Sequence, residues 1–516
     1  MMEPSEARPV AGPSKPKVEI VKISKTITGA PMLITSLQFR FRKQRTNADG
    51  SKIYWVCTKG SCPARLTTDD NYNFMSSVNS HNHSETVQET DRKVVNAKMK
   101  DLAKSGKFLG QPMALIGEAL KDLSEESQAA LPKLDHLRRN IHNWQTESLP
   151  SLPTSRTGFE IPAEYQQIEC KTGDGEVISQ KFLQYDSGQD DPDRILVFGT
   201  DRAVGCLKNY KHWLSDGTFK AAPDTFYQMY CFHATIDEGF SIPCLYTLLP
   251  NKTHDTYKRL IKVIKTLLKQ HGTEDIAPES VMCDFELAFI TAIQEEFPGV
   301  IITLCNFHLG KNVYAQGQKK VKDFQHQYAN KPDFNIVCRC LSALAYIPVE
   351  DVIDCFEELC ENELLPDELV QYFLKNYIGE LRGRGQNKKR MAPRFPITLW
   401  NVVWRLEMRL PCTNNPCEGF HNGFNKLLNG PHPNLWHLIS AMKKSYTLTR
   451  KKFIDYEKGC ETSRKKYRTA TDHLITIVSR YDEGKKMETL KKVAEQLKNF
   501  APSSVAVELD EDSDKE

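Results

Sequence analysis

The sequence predicts a multidomain α+β protein, and three observations lead to this prediction. A chain of 516 residues is long enough for three or four domains of about 100 to 200 residues each. Residues 18–75 alternate polar with apolar or β-branched side chains, which is typical of short strands. After residue 190, three successive strand patterns are followed by alternating helix and strand patterns, which is the order of an α/β layer.

The composition excludes several classes of protein. Hydrophobic residues make up 40% of the chain and charged residues 26%, as in globular proteins rather than fibrous or wholly disordered ones. No run of about 18 apolar residues predicts a membrane span, and the N-terminus lacks the apolar segment of a secretory signal. We therefore expect no membrane association, and we expect the 15 cysteines to be reduced thiols that pack in the core or bind metal.

The formal net charge of +3 conceals an uneven distribution. Residues 441–470 hold ten Lys or Arg against three acids, and a second basic cluster lies in residues 40–45. Such blocks fit either a solvated helix face or contact with phosphate. Residues 1–17 are rich in Pro and Ser and residues 501–516 are acidic, so both ends are expected to be disordered. The acidic tail would either solubilise the chain or bind a partner.

Residues 18–86 predict the first domain, a small β-sheet that contains Cys57, Cys62, His81 and His83. This Cys-x4-Cys and His-x-His set provides two thiolates and two imidazoles, which suit tetrahedral zinc. A domain of about 60 residues buries too little apolar surface to be secure alone, so the zinc would be structural and would decide folding. The alternative is two core cysteines and two solvent-exposed histidines.

A Tyr-Trp pair precedes the first cysteine, and with it residues 20–85 resemble the FLYWCH-type zinc finger, of the wider group that includes WRKY and GCM domains. The cysteine spacing is closer to that of WRKY domains. The resemblance implies DNA binding through a β-sheet edge in the major groove. The basic residues expected to contact DNA are Arg40, Arg42, Lys43, Arg45, Lys59 and Arg65. A finger that binds protein instead is the alternative.

Residues 87–157 show helical spacing interrupted by Gly, Pro and Ser, which predicts two to four short helices that bind DNA or link the domains. One segment, PKLDHLRRNIHNW, fits either a helix-turn-helix reader of DNA or ordinary helical packing. The Pro and Ser residues of 148–158 predict a linker at the end of this region.

The remaining sequence predicts one interrupted α/β domain. Residues 158–310 form its first part, with the element order β-β-β-α-β-α-β-α. Residues 311–400 are poor in strand patterns and predict an all-α insertion, which ends in the basic loop 382–390. Residues 401–500 predict the end of the α/β domain and C-terminal helices.

Three carboxylates are candidate site residues. Asp216 ends the first strand of the meander, Asp284 ends a buried strand, and Glu418 starts the last helical region. If the first and fourth strands are neighbours, the two aspartates lie side by side and Glu418 closes the site. Clustered carboxylates repel one another unless divalent cations lie between them. Two Mg²⁺ ions about 4 Å apart would activate a hydroxyl nucleophile and stabilise the leaving oxygen of a phosphodiester. Taken singly, each acid is explained more simply as a cap or a surface residue.

The segments DGTF, CDFE, CNFH and NNPCEGFHN occur in that order, and residues 190–470 resemble the RNase H-like catalytic domain of Mutator-like (MULE) transposases. The resemblance implies a DDE triad of Asp216, Asp284 and Glu418 that binds Mg²⁺ or Mn²⁺. It also implies a Cys-x2-His motif, here Cys305 and His308. These are either accessory residues at the mouth of the site, or a core thiol and a helix-start histidine. A FLYWCH-type finger fused to a MULE domain is a recurrent architecture.

Together these features predict a nuclear DDE-type DNA transposase of a Mutator-like element. The zinc finger would bind the terminal inverted repeats of the element, and the carboxylates would cleave DNA and join the freed end to target DNA. The pairing of two element ends predicts a homo-oligomer. The alternatives are a domesticated, transposase-derived DNA-binding regulator without catalytic activity, and a ribonuclease on the same scaffold.

Overall fold

A computed structural model describes residues 19–26, 28–105, 108, 111–147, 149–171, 174–237, 240–270, 277–383, 388–428, 430–460 and 465–500. The expectations of disorder for residues 1–17 and 501–516 lie outside the described residues. Residues 384–387 of the predicted basic loop also lie outside the described residues. The chain divides into two compact units, Met1–Ser151 and Leu152–Glu516.

The first unit begins with a sheet of six antiparallel strands in the part of the chain that the structure describes. The strands are β1 (Ile20–Lys25), β2 (Pro31–Thr35), β3 (Arg40–Thr46), β4 (Lys52–Cys57), β5 (Arg65–Asp69) and β6 (Phe74–Val78). Each strand pairs with the next one in sequence. Leu33, Phe41, Trp55 and Leu66 form its core, and the Trp55 indole N–H donates to Thr68 Oγ1 at 3.0 Å. The predicted alternation therefore places one face of the sheet inside.

Four helices follow in the described residues of this unit. They are α1 (Val87–Lys104), α2 (Pro112–Leu120), α3 (Glu125–Ala129) and α4 (Leu134–Glu147). The Thr86 side chain caps α1 by accepting from the backbone N–H of Glu89. On α4, Leu137, Ile141 and Trp144 recur at helical spacing and pack into a core shared with α1 and α2. One face of the segment PKLDHLRRNIHNW, which also fits a helix-turn-helix reader of DNA, is therefore buried in helical packing.

The second unit is built on a mixed sheet. Its described strands up to residue 304 are β7 (Gln167–Lys171), β8 (Val177–Lys181), β9 (Leu183–Asp186), β10 (Leu196–Phe198), β11 (His212–Thr218), β12 (Gln228–Asp237), β13 (Phe240–Leu249), β14 (Ser280–Cys283) and β15 (Ile301–Leu304). Seven of them form one sheet within the described residues, in the order β15, β14, β11, β12, β13, β10, β9. β11, β12 and β13 are an antiparallel meander, whereas β14 and β15 run parallel to β11. The first and fourth strands of the predicted order are therefore neighbours.

The helices of the second unit surround this sheet. Those in the described residues are α5 (Ala163–Gln166), α6 (Asp201–Asn209), α7 (His254–Gln270), α8 (Leu287–Glu296), α9 (Asn306–Lys320), α10 (Phe324–Asn330), α11 (Pro332–Ala343), α12 (Val352–Cys360), α13 (Asp367–Phe373), α14 (Ile397–Trp400), α15 (Val403–Glu407), α16 (Asn415–Leu428), α17 (Leu435–Glu457), α18 (Lys465–Val478) and α19 (Lys486–Gln496). None of the described helices is long and apolar enough to cross a membrane.

Both faces of the mixed sheet are covered by helices. On one face, the Tyr230 ring lies 5.1 Å from that of Phe289 on α8. On the other face, the Tyr246 ring lies 5.9 Å from that of Phe420 on α16. Burial on both faces explains why β12 and β13 are nearly continuous apolar runs. It also brings α16, which carries Glu418, onto the sheet.

The helical segment 311–400 differs from the prediction in two respects. It is not wholly α, because the short strands β16 (Leu381–Arg382) and β17 (Lys389–Arg390) pair on either side of the basic loop. Its predicted start also falls inside α9, which runs continuously from the end of β15. Two-residue strands have too few positions to show an alternating pattern, which is why the sequence did not reveal them. The β7–β8 hairpin was also missed.

Candidate active site and zinc site

Four donor atoms converge in the first unit. The donors of Cys57, Cys62, His81 and His83 all lie within 4.8 Å of one another. Cys57 Sγ is 3.2 Å from His83 Nε2, Cys62 Sγ is 3.4 Å from His81 Nδ1, and the two ring nitrogens are 3.4 Å apart. Zinc bonds of about 2.0 to 2.3 Å give tetrahedral edges of roughly 3.3 to 3.8 Å. The donor set and its spacing fit a structural zinc ion.

The surrounding residues hold these ligands in place. The His81 ring stacks on Phe39, with centroids 3.5 Å apart. His83 Nδ1 lies 3.3 Å from the carbonyl oxygen of Ser84, which leaves Nε2 free for the metal. Burial would raise the pKa of Cys62, but hydrogen bonds from the backbone N–H groups of Ala64 and Asn82 lower it. These hydrogen bonds favour the thiolate of Cys62, whereas burial raises the pKa of Cys57, so that this second thiol would lose its proton when zinc binds.

One predicted DNA-contacting residue is wrong. Arg40 is buried at 2% exposure, and its guanidinium pairs with the Glu85 carboxylate and donates to the backbone oxygen of Glu89 at 2.8 Å. A buried, paired guanidinium is not available to a phosphate. Arg40 instead fastens the start of α1 to the sheet.

The other predicted basic residues are exposed, and three of them share one face of the sheet. Arg42 pairs with Val56, and Val56 pairs with Arg65, so these three side chains lie on the same face. After the bulge in β3, Arg45 pairs with Tyr54 and its guanidinium lies 4.6 Å from the centre of that ring. This arginine face, Arg42, Arg45 and Arg65, lies opposite the core of Trp55. Lys43 and Lys59 are exposed elsewhere.

In the second unit, two aspartates lie side by side at the ends of neighbouring strands. Asp216 is in β11 and Asp284 follows β14, and these parallel strands pair in register at Leu214 and Met282. Asp216 is followed by Gly217, where a Cβ would lie 2.7 Å from Gln228 Oε1 and 3.0 Å from the Tyr230 ring. Glycine at this position therefore allows β12 to approach β11 closely beside the aspartate.

The two aspartates repel each other. Burial raises the pKa of Asp216, and the charge of Asp284 raises it further, although a hydrogen bond with His421 opposes this. Burial would also raise the pKa of Asp284, but the charge of His308 and the hydrogen bond from Asn414 outweigh it and lower that pKa. A buried carboxylate, Asp216, beside the partly exposed carboxylate of Asp284 fits a divalent cation, which would relieve the repulsion.

Glu418 reaches the same region from the first turn of α16. His308 lies between it and Asp284, because His308 Nδ1 is 3.0 Å from Asp284 Oδ1 and Nε2 is 4.0 Å from Glu418 Oε1. Burial raises the pKa of Glu418, the charge of His308 lowers it, and the charges of Asp216 and Asp284 raise it further, so all three carboxylates interact electrostatically. In the described residues, the second donor cluster within 4.8 Å is instead Asp284, Cys305 and His308.

One asparagine, whose role was not predicted from the sequence, organises this region. The Asn414 amide donates to Asp284 Oδ1 at 3.0 Å and to the Ser215 carbonyl at 3.2 Å. Its backbone N–H donates to Cys305 Sγ at 3.0 Å, and its carbonyl accepts from the backbone N–H of Glu418 at 3.0 Å. Asn414 thus connects both strand ends to the start of α16. The Asn-Asn pair before Glu418 was the available signal, since asparagine is a preferred N-cap.

A second missed residue is His421, which lies one turn after Glu418 on α16. It is buried, and its Nδ1 is 3.2 Å from Asp216 Oδ2. The spacing of three residues places both side chains on the same side of the helix. The sequence showed that spacing, but not that α16 packs on β11.

We expect Asn414→Ala to destabilise the second unit by about 1 to 3 kcal/mol, because it leaves the Ser215 carbonyl without its partner and Asp284 with one donor fewer. Urea unfolding of the full chain measures the change. Asn415→Ala is the matched control, because Asn415 is exposed and should change stability by less than about 0.5 kcal/mol. Equal effects of the two variants would show that Asn414 does not organise the site.

The first unit therefore contains a cluster of two cysteines and two histidines that fits zinc, and the second contains an aspartate pair on a mixed α/β sheet. Comparison with known families agrees with both parts. Residues 23–83 match the family model of the FLYWCH zinc finger domain, and residues 212–312 match that of the MULE transposase domain. No curated protein matches the chain.

The chain therefore contains a FLYWCH zinc finger domain and a MULE transposase domain. The finger match includes all four zinc ligands. The transposase match includes Asp216, Asp284, Cys305 and His308, whereas Glu418 lies beyond it.

Proposed function

We propose that this protein is a DDE-type DNA transposase of a Mutator-like element, and that it cleaves DNA and joins the freed end to a target. The observation that carries the proposal is the pair formed by Asp216, which is buried, and Asp284, which is partly exposed, at the carboxyl ends of two parallel strands. The sheet order, with β14 and β15 added beside a three-stranded meander, supports an RNase H-like assignment for this unit. The match to the MULE domain supports the reaction class.

In this proposal Asp216 and Asp284 hold the catalytic cations, and Glu418 completes the triad from α16. When bound, Mg²⁺ or Mn²⁺ would activate the attacking hydroxyl and neutralise the leaving oxygen of the phosphodiester. The residues of the chain supply position. Gly217 donates its backbone N–H to Asp216 Oδ1 at 3.0 Å, and Asn414 holds Asp284. Preorganised carboxylates of this kind reduce the cost of assembling the site during the reaction.

The loop before α16 is held in place by Arg405. Arg405 is fully buried, and its guanidinium donates to the Pro411 carbonyl at 2.7 Å and to Ser280 Oγ at 3.1 Å. It thereby ties this loop to the start of β14. The support explains how a residue more than a hundred positions after Asp284 reaches the same site.

The test is a strand-transfer assay with full-length protein and DNA that carries the inverted repeats of the element. Wild-type protein should join labelled ends to target DNA in Mg²⁺ or Mn²⁺ and not in EDTA. Cleavage of an RNA:DNA hybrid in preference to duplex DNA would support the ribonuclease alternative instead. Activity on neither substrate, with DNA binding intact, would contradict the transposase proposal.

A second candidate is a DNA-binding regulator that has lost catalysis. It is favoured by His308, whose Nδ1 lies 3.0 Å from Asp284 Oδ1 and so engages an oxygen that a catalytic cation would need. Both candidates act on chromosomal DNA, so we propose a nuclear location for either. A catalytic transposase must also hold two element ends, so we propose that it acts as a homo-oligomer.

We propose that the arginine face of the finger contacts the phosphate backbone. Arg42→Ala with Arg45→Ala should weaken binding to random-sequence duplex DNA and lower the slope of log affinity against log salt by about 0.9 for each lost phosphate contact. A salt titration by fluorescence anisotropy measures this slope. Arg65 is left intact because its Nη1 also bonds the backbone oxygens of Cys62 and Ala64.

The matched control is Lys25→Ala, an exposed lysine on the edge strand β1, outside the arginine face. It should leave the salt slope of wild-type protein unchanged. An unchanged slope in the double arginine variant would rule out this face as the phosphate contact.

A further inference from the structure

We propose that Asp284, Cys305 and His308 bind a transition-metal ion of the zinc class, in addition to the zinc of the finger. The site takes a borderline or soft divalent cation, and it shares Asp284 with the aspartate pair. The proposal goes beyond the proposed function, because the ion would bind whether or not the chain cleaves DNA.

Three elements bring the donors together. Asp284 follows β14, and Cys305 follows β15, the next strand of the sheet. The backbone N–H of Cys305 donates to the Cys283 carbonyl at 3.0 Å, which fixes the cysteine beside the aspartate. His308 is three residues further on, in the first turn of α9, so its ring points back toward the same strand ends. The donor atoms of all three residues lie within 4.8 Å of one another.

The contact between His308 and Asp284 is close but is not a well-formed hydrogen bond. His308 Nδ1 is 3.0 Å from Asp284 Oδ1, yet this buried nitrogen has no hydrogen-bond partner of acceptable geometry among the described residues. A nitrogen and an oxygen that approach without an aligned N–H are arranged like two ligands of one ion. The ligand atoms of the finger show similar spacing, at 3.2 to 3.4 Å.

The environment of the sulfur also fits a metal ligand. Cys305 is fully buried, and its Sγ accepts the backbone N–H of Asn414 at 3.0 Å. This hydrogen bond fixes the position of the sulfur, as contacts around metal ligands commonly do.

The donor set selects the class of ion. Thiolate and imidazole favour zinc and related ions, whereas Mg²⁺ prefers oxygen ligands. Three protein ligands leave one coordination position free, as in catalytic zinc sites, whereas the four donors of the finger form a closed structural site.

The test is the zinc content of purified full-length protein, measured by inductively coupled plasma mass spectrometry after dialysis. Wild-type protein should contain two zinc ions per chain. Cys305→Ser and His308→Ala should each contain one, and so should the finger variant Cys62→Ser. Adding Cys305→Ser to Cys62→Ser should remove the remaining ion. Cys460→Ser is the control, because it removes an exposed thiol outside both clusters, and it should retain two.

One zinc ion per wild-type chain, lost in Cys62→Ser and retained in Cys305→Ser, would overturn the proposal. If circular dichroism shows that Cys305→Ser does not fold, the zinc content of Cys62→Ser decides alone. A zinc content of zero in Cys62→Ser also overturns the proposal. The measurement uses protein without DNA, so its result is independent of strand transfer. Inactive protein with two zinc ions would contradict only the transposase proposal, and active protein with one would contradict only the second metal site.

Discussion

Asp216→Asn is expected to reduce strand transfer by about 10³-fold or more. The aspartate supplies one of the two paired carboxylates that would hold the catalytic cations, and such cations contribute several kcal/mol to stabilising the transition state. Each 1.4 kcal/mol corresponds to about a tenfold change in rate. Asparagine has nearly the same shape as aspartate and removes a buried charge, so the variant should fold. Strand transfer by wild-type and variant protein in Mg²⁺ measures the difference.

The matched control for this variant is Asp224→Asn. Asp224 belongs to the same unit, but its side chain is 90% exposed, so its replacement should leave strand transfer unchanged. Asp216→Asn should also leave the affinity for DNA nearly unchanged, because the arginine face lies in the other unit. A variant that retains wild-type activity would show that the aspartate pair is structural.

The second large effect concerns the finger. Cys57→Ser should abolish folding of the six-stranded sheet, because a structural zinc ion contributes about 10 to 16 kcal/mol of binding free energy to such a small unit. Hydrogen exchange with mass spectrometry gives a local measurement. Peptides from β2 to β4 should lose protection, whereas peptides from β11 to β13 in the second unit should keep it.

Chelation of zinc in wild-type protein should reproduce the effect of Cys57→Ser on the sheet. Cys460→Ser serves as the control for replacement of a cysteine, and it should leave exchange in β2 to β4 as in wild-type protein. Full protection of these strands after removal of zinc would mean that the apolar core around Trp55 is sufficient without the metal.

Much of the fold could be predicted because its elements show simple periodic patterns. Alternating residues in the first unit and the apolar runs of β12 to β15 predicted strands, and the order of these elements made β11 and β14 neighbours. Two of the elements that were missed, β16 and β17, have two residues each. Their pairing depends on the path of the chain around them, which no local pattern encodes.

The same distinction between local patterns and the path of the chain applies to the residues of the candidate sites. The four zinc ligands could be predicted because donor type and spacing are properties of the sequence itself. Arg40 was wrongly assigned to the DNA surface because the partner that buries it, Glu85, lies 45 residues later and belongs to a different element. Asn414 and His421 were missed because their roles depend on how α16 packs against the sheet.

Anomalous diffraction from crystals of the full chain soaked in Mn²⁺ tests most directly whether Asp216 and Asp284 form a carboxylate pair that holds a divalent cation. We expect a manganese peak bound by oxygens of both side chains, and we expect this peak to be lost in Asp216→Asn crystals. Manganese found only at other carboxylates, with none at this pair, would show that the pair does not hold a cation.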